Sequence, residues 1–450
     1  MSSWANKLER VSFSNKHPFG EPSRALDPRE IELDVGRARD GSLPSDPGQR
    51  IDALRGRIAN ILTTSLPKAR RQSEESPRRD VDIAVTPSEF AEEDTSRGPL
   101  YVRTKRLPSA HRVGRASVYL AQEASAPTLS LLALDPSLAA PDPARALYLD
   151  TETTGLSGGA GTVAFLIGLA WFEDGGLAFE QLLLTNLGEE IPMLERLAER
   201  MARASMLVSY NGKSFDMPLL RSRRVLCRLG PLPILPHLDL VHVARRVHRH
   251  RLSEHTLARV ESEVLGFERF GDIGGAEVSS RYWHFLRTRD FAALQGVLEH
   301  NQWDVISLAA LVGLYGEPLG ESSEEDDVNA PTGLAPVDWP GLARTLKRAG
   351  SLELAGKIAD RAVGRGGGSE AVRARGEIAK ARGDKAQSLA DFASLLETVD
   401  DPSLRLELVK LYEHYAKAPL AALEVLARGT RESEEAAAKR RRRLERKRPR

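Results

Sequence analysis

The spacing of apolar positions changes character three times along the chain. Up to about residue 95 no apolar period is sustained. That stretch is rich in Pro, Ser, Arg and Asp, includes charge-dense pieces such as Arg70 to Asp80, and reads as disordered over most of its length. From Pro99 onward the short runs Leu100 to Arg103, Ala116 to Leu120 and Leu129 to Leu134 are strand-like, and they suggest a small β extension over 96–145. Ala146 to Asp150, Thr162 to Phe172 and Leu177 to Asn186 then predict a three-strand meander, its last two strands joined by the turn Glu173-Asp174-Gly175-Gly176.

Helical periodicity follows. It predicts helices over Glu189 to Ala204, Met217 to Leu229, Leu238 to Val247 and Thr256 to Leu265, and a long one over Asp290 to Gly313, with a short strand at Met206 to Tyr210. Three antiparallel strands followed by alternating helix and strand imply an α/β domain over 146–316, a mixed sheet covered by helices. Pro318 to Pro336 is acidic and rich in Pro, Gly, Ser and Asn, so 317–337 is the expected linker. Beyond it, over 338–438, the pattern is helical throughout. Ala355, Ser388 and Ala421 recur every 33 residues, each a few residues after a turn at Gly350, Gly383 or Ala416. The period is similar to a tetratricopeptide array of helical hairpins; a plain helical bundle fits about as well.

A chain of 450 residues exceeds one ordinary core, and 41% apolar with 28% charged residues is the composition of a soluble globular protein. The most apolar run, Thr162 to Phe172, is about half of the ~20 residues that a spanning helix needs, so no membrane role and a cytoplasmic location are expected. The lone Cys227 excludes an internal disulfide and a multi-cysteine zinc site. A net charge of +1 hides a segregation: Glu321 to Asp327 is acidic, and the tail Lys439 to Arg450 is overwhelmingly basic. That tail can contact phosphates or be a solvated helix end.

Candidate chemistry concentrates in three segments. In Leu147-Tyr148-Leu149-Asp150-Thr151-Glu152-Thr153, two carboxylates at i and i+2 of an extended chain project from one sheet face, so both can reach one hard cation. Ser209-Tyr210-Asn211-Gly212-Lys213-Ser214-Phe215-Asp216 follows a predicted strand and opens a predicted helix, which places Asp216 at a strand end beside the sheet crevice. On the long last helix, a spacing of four sets His300 and Asp304 on one face. Thr151, Thr153, Asn211 and Lys213 are the candidate substrate contacts, although Asn211 also suits a turn and Lys213 a solvated surface.

These segments resemble, in order, the three exonuclease motifs of DEDD-type enzymes in the ribonuclease H-like superfamily. The stretch from Leu147 to Val312 is similar to YprB-type ribonuclease H-like proteins, which also append a tetratricopeptide-like helical tail. The resemblance implies a 3′-5′ exonuclease that hydrolyses DNA or RNA, at a single-stranded end, with two Mg²⁺ or Mn²⁺ ions. It implies that Asp150, Glu152, Asp216 and Asp304 hold the ions and that His300 orients and deprotonates the attacking water. One departure stands out: the DEDDh subgroup carries its His five residues before the last Asp and the DEDDy subgroup its Tyr four before it. His300 sits at the Tyr spacing, and Glu299 occupies the other.

Three further readings compete for the remaining residues. His237, His242, His248, His250 and His255 invite a zinc site, but the intervening Arg245, Arg246, Arg249 and Arg251 repel a cation and form instead a basic stripe suited to a phosphate backbone or to ordinary solvent. Asp239 resembles an accessory aspartate and reads as structural. A rival to the enzyme is a catalytically weak nucleic-acid-binding or scaffold protein whose helical tail grips a protein partner.

Overall fold

Tyr148 is flanked by Leu147 and Leu149, and the three divide between two cores on opposite sides of one sheet, as alternation along a strand requires. The structure, a computed structural model, describes residues 89–155, 161–319 and 333–448. The stretch up to residue 88, the acidic run Glu321 to Asp327 and most of the expected linker lie outside the described residues. Strands β1 (Ala91–Thr95) and β2 (Gly98–Pro108) form a hairpin, and a short ribbon of β3 (Arg112–Val113) and β4 (Ala116–Ser117) follows. Then come β5 (Ala146–Thr153), β6 (Ala164–Glu173), β7 (Gly176–Leu183), β8 (Met206–Ser209) and β9 (His237–Asp239). Seven of them make a single sheet in the order β1-β2-β7-β6-β5-β8-β9. β5 pairs antiparallel with β6 and parallel with β8, so the sheet is mixed, as the sequence leads one to expect.

Helices close both faces. α1 (Ala126–Ala133), α2 (Ile191–Arg203), α3 (Asp216–Leu226), α4 (Leu240–His248), the one-turn α5 (Leu257–Val260), α6 (Gly275–Thr288) and α7 (Gln295–Tyr315) belong to the α/β part. Leu194, Leu197 and Met201 of α2 with Leu220 of α3 pack on the Leu147 side, while Val243 of α4 and Val305, Leu308 and Val312 of α7 pack on the Tyr148 side. From Val305 to Tyr315 every residue of α7 is buried, as in a helix enclosed on all sides. Gly168, paired with Asp150 across β5 and β6, permits the close approach of α7: a Cβ there would stand 2.2 Å from Asn301 Oδ1 and 2.8 Å from Val305 Cγ2.

The region before residue 146 departs from the sequence-based expectation. β1 starts inside the stretch read as disordered, because its backbone pairs with β2 from Ala91 to Thr95. β2 pairs with β7 over eight residue pairs and so extends the main sheet. Leu129 to Ala133 lies in helix α1 rather than a strand, and Leu134 is its C-cap. Ser125 caps the helix by accepting from the Thr128 N–H, Pro127 suits its first turn, and Leu129 and Leu132 point to the core one turn apart.

The C-terminal helices are α8 (Trp339–Arg348), α9 (Leu352–Gly364), α10 (Gly368–Arg382), α11 (Lys385–Ser394), α12 (Pro402–His414), α13 (Pro419–Ala427) and α14 (Glu434–Arg446). Ala355, Ser388 and Ala421 fall near the starts of the alternate helices α9, α11 and α13; the first two are fully buried. The first of these helices shares a core with the α/β part. Trp339, Leu342 and Leu346 join the Tyr148-side cluster, and Gly341 lies so close to α4 that a Cβ would stand 1.9 Å from the Val247 carbonyl. A buried polar network ties the two parts further: His248 bonds Asp338 (2.7 Å) and Tyr315 (2.8 Å), and Arg251 donates twice to Asp338 (2.6 and 3.0 Å). The basic tail is anchored in part, since Arg440, Arg443 and Lys447 of this region converge on the buried Glu413.

Candidate functional site

Asp150 and Glu152 lie near the end of β5, on the side where α7 packs. Asp216 is the first residue of α3, directly after the turn that leaves β8, and Asp304 is in the middle of α7. Four carboxylates distant in sequence thus meet at one end of the sheet. Burial first, then the charges of Asp304, Glu152 and Asp216, hold the Asp150 carboxyl well above the usual carboxylate range. Burial and Asp304 push Glu152 up to about 8. Burial lifts Asp216 to about 6, against the opposing bond from Thr151. Full ionisation of such a cluster needs cationic charge beside it.

The donors around it are few. Asn301 Nδ2 donates to Asp150 Oδ2 (2.9 Å), and the Thr151 hydroxyl donates to Asp216 Oδ1. Glu152 Oε1 is buried and has no hydrogen-bond partner among the described residues. One ligand atom each of Glu152, His300 and Asp304 lies within 4.8 Å of the others, so this group can hold a metal ion. An orphaned buried carboxylate oxygen beside other hard oxygen donors fits a divalent cation.

His300 lies one turn before Asp304, with Nε2 3.6 Å from Asp304 Oδ2. Its Nδ1 meets Asp272 Oδ1 at 2.6 Å; since a carboxylate only accepts, Nδ1 carries the proton there. Burial disfavours the imidazolium, but the charges of Asp304 and Glu152 with the Asp272 bond outweigh it and raise the His300 pKa. Glu299, at the alternative spacing, accepts from Gln295 one turn back.

Of the candidate substrate contacts, the Thr151, Thr153 and Lys213 side chains have partners within the chain. Thr151 holds Asp216, and Thr153 Oγ1 donates to the Gly155 carbonyl (3.1 Å). Asn211 has φ +66° and shapes the turn, while Lys213 Nζ lies 3.6 Å from Asp135. Asp239 fixes that turn: its carboxylate accepts from the backbone N–H of Asn211 (2.6 Å) and Lys213 (3.1 Å) and caps α4 at Val241. Three of the five histidines are engaged elsewhere: His237 bonds Ser209, His248 is in the Asp338 network, and His250 bonds the Val337 carbonyl.

Sequence reasoning missed Arg269, Asp272, Glu261 and Asn301. The Arg269 guanidinium donates to both oxygens of Glu261 (2.7 Å each) and also bonds Asp304 and Asp272. Glu261, fully buried, begins a π-turn (Glu261–Leu265), and the loop that follows returns Arg269 and Asp272 to the cluster. Gly266 and Gly271, at φ +66° and +73°, are the hints of this return in the sequence. Asn301, fully buried, also accepts from Gln181 (3.0 Å), which in turn bonds Arg103 (2.7 Å), so a buried polar chain runs from Asp150 across the sheet.

The family described as RNase_H superfamily matches residues 147–315. Over 166 residues the chain is 40% identical to a protein of Bacillus subtilis (strain 168) named Uncharacterized protein YprB; the match covers 36% of this chain and 40% of that protein. No described helix is long and apolar enough to cross a membrane. With the mixed sheet and the acidic cluster at its end, the segment 147–315 is a ribonuclease H superfamily domain homologous to YprB, carried in a chain that continues into a run of helices.

Proposed function

We propose that this domain is a metal-dependent nuclease, a 3′-5′ exonuclease of the DEDD type acting on phosphodiester bonds of DNA or RNA. The observation that carries the reading is the acidic cluster: beside Asp304 stand three carboxylates, Asp150, Glu152 and Asp216, whose ionisation burial and neighbouring charge oppose, and one of them, Glu152, has an orphaned buried oxygen. Asp150, Glu152, Asp216 and Asp304 would hold two Mg²⁺ or Mn²⁺ ions, hard cations that prefer such oxygen ligands. When bound, divalent ions supply Lewis-acid stabilisation of charge on the reacting phosphate.

The rest falls to the chain. Asn301 and Thr151 orient the Asp150 and Asp216 carboxylates by donating to one oxygen of each. His300, held at Nδ1 by Asp272, presents Nε2 on the side of Asp304, where it takes the proton of the attacking water. Thr153, Asn211 and Lys213 border the approach of the substrate, and the C-terminal helices serve a protein partner. Nothing in this chemistry reads base edges, so it does not choose between sugars or sequences.

One observation favours a rival in which the domain binds without turnover: the Arg269 guanidinium already neutralises Asp304. Calorimetric titration with Mn²⁺ separates the two. The nuclease reading expects binding by the parent, its loss in Asp216→Asn, and Mn²⁺-dependent degradation of labelled single-stranded DNA or RNA. An absence of Mn²⁺ binding by the parent removes it.

A further inference from the structure

Between α4 with the loop that follows it and the tail helices α8 and α10 runs a cleft of about 1070 Å³, lined by six arginines against two glutamates. The glutamates are spent internally: Glu370 and Glu377 pair with Arg344 (2.9 and 3.1 Å), and Glu377 also pairs with Arg373 (3.3 Å). Arg246 donates to the Leu132 carbonyl (3.1 Å). The others, Arg245, Arg249 and Arg348, are exposed and have no acidic partner among the described residues. Like charges are brought together here, Arg246 beside Arg348, and Arg245 lies beside His255, whose imidazolium burial and that arginine disfavour. His250 Nδ1 and His255 Nε2, on two further lining residues, are buried and unpartnered among the described residues. A surface that gathers exposed guanidinium groups without acidic partners lacks an anion.

We infer that this cleft is a second nucleic-acid site, which grips the phosphate backbone of a single strand leading to the acidic cluster. Its position supports the continuity. Asp239, which builds the turn before Asp216, is also the N-cap of α4, and that helix of nine residues, about 13 Å long, ends at the cleft. Tyr210, next to Asn211, donates its hydroxyl to the His255 carbonyl on the cleft wall (2.7 Å). Both parts of the chain contribute: Arg245 and Arg249 come from the α/β part, Arg348 from the first tail helix. The Asp338 network and the Gly341 contact fix the two walls against each other, so the spacing of the charges is preset. Only the choice of a nucleic acid over other polyanions rests on the nuclease reading.

The test measures binding of fluorescent single-stranded DNA and RNA by the whole chain in EDTA, across a range of salt, so that neither cations nor turnover enters. Combined Arg245→Glu, Arg249→Glu and Arg348→Glu is expected to weaken binding at least about tenfold. It should also lower the slope of log affinity against log salt by about 2, near 0.7 for each lost contact to a single strand. Arg287→Glu, exposed on α6 away from the cleft, should leave both unchanged. If the triple variant fails to fold, Arg348→Gln alone must lower the slope by about 0.7. Parent-like binding and slope in a folded triple variant would overturn the inference, as would a polyglutamate peptide that competes as well as the oligonucleotide. A parallel assay of Mn²⁺-dependent hydrolysis of bis-p-nitrophenyl phosphate, which is too small to span the cleft, reports on the acidic cluster separately.

Discussion

Glu152→Gln tests the electrostatics of the cluster without removing its volume. In the folded protein burial and Asp304 lift the Glu152 carboxyl from 4.5 to about 8. Between those two values the folded chain keeps a proton that the unfolded chain has released, so in the absence of cations stability falls as pH rises through this window. At about 1.4 kcal/mol per pH unit the interval amounts to a ceiling of ~5 kcal/mol. Glu152 shares its proton with Asp150 and Asp216, so the variant should recover on the order of half of that. Thermal and urea unfolding in EDTA, followed from pH 5 to 8.5, reads the effect. Parent and variant should be close at pH 5, and the variant should be the more stable by a few kcal/mol at pH 8. Mn²⁺ at about 100 times its dissociation constant should stabilise the parent by ~2.7 kcal/mol and the variant by much less. Parallel stability curves for the two proteins in EDTA, or a variant less stable at pH 8, would refute the reasoning.

Other substitutions probe the supports of the site. Asn301→Leu strips partners from Asp150 and Gln181 in a buried setting and should cost about 2–5 kcal/mol in urea unfolding, since each orphaned group costs about 1–3. Gly168→Ala forces a methyl against Asn301 Oδ1 and Val305 and should cost about 1–3 kcal/mol, with Mn²⁺ affinity reduced in the same protein. Asp338→Asn removes the buried counter-charge of Arg251 at the junction with the tail and leaves it only Glu263 at 3.7 Å, a loss of roughly 3 kcal/mol in thermal unfolding. Burial opposes the Asp338 charge, but His248 and Arg251 outweigh it and hold the carboxyl at about 2, below its usual 3.8. That stabilisation is therefore complete above about pH 4 and is lost as pH falls toward 2, which acid unfolding of parent and variant should show as converging curves.

The parts of the site governed by local periodicity were legible in the sequence. Alternation through Leu147, Tyr148 and Leu149 fixes which sheet face Asp150 and Glu152 share, and a one-turn spacing joins His300 to Asp304. Asp216 is recognisable because a buried strand, a turn and a helix start follow one another. What no period encodes stayed hidden. Arg269 and Asp272 reach the cluster through a π-turn and an irregular loop, and Asn301 matters only because Gly168 lets α7 descend onto β5 and β6. In the fold, the run at Leu129 to Leu134 is short enough to suit strand or helix, and the Ser125 cap with Pro127 decides for helix. β9 and α6 went unread: the first is three residues long and the second is broken up by polar residues. The basic stripe divided in a way that sequence cannot anticipate, Arg251 turning inward to Asp338 while Arg245 and Arg249 face the cleft.

The most direct measurement follows single-stranded DNA and RNA labelled at the 5′ end through incubation with Mn²⁺, for the parent and for Asp150→Asn. Four carboxylates acting on one phosphodiester predict a ladder of products shortened stepwise from the 3′ end, abolished in the variant and by EDTA. Intact substrates of both sugars with the parent, or an undiminished ladder with Asp150→Asn, would contradict it.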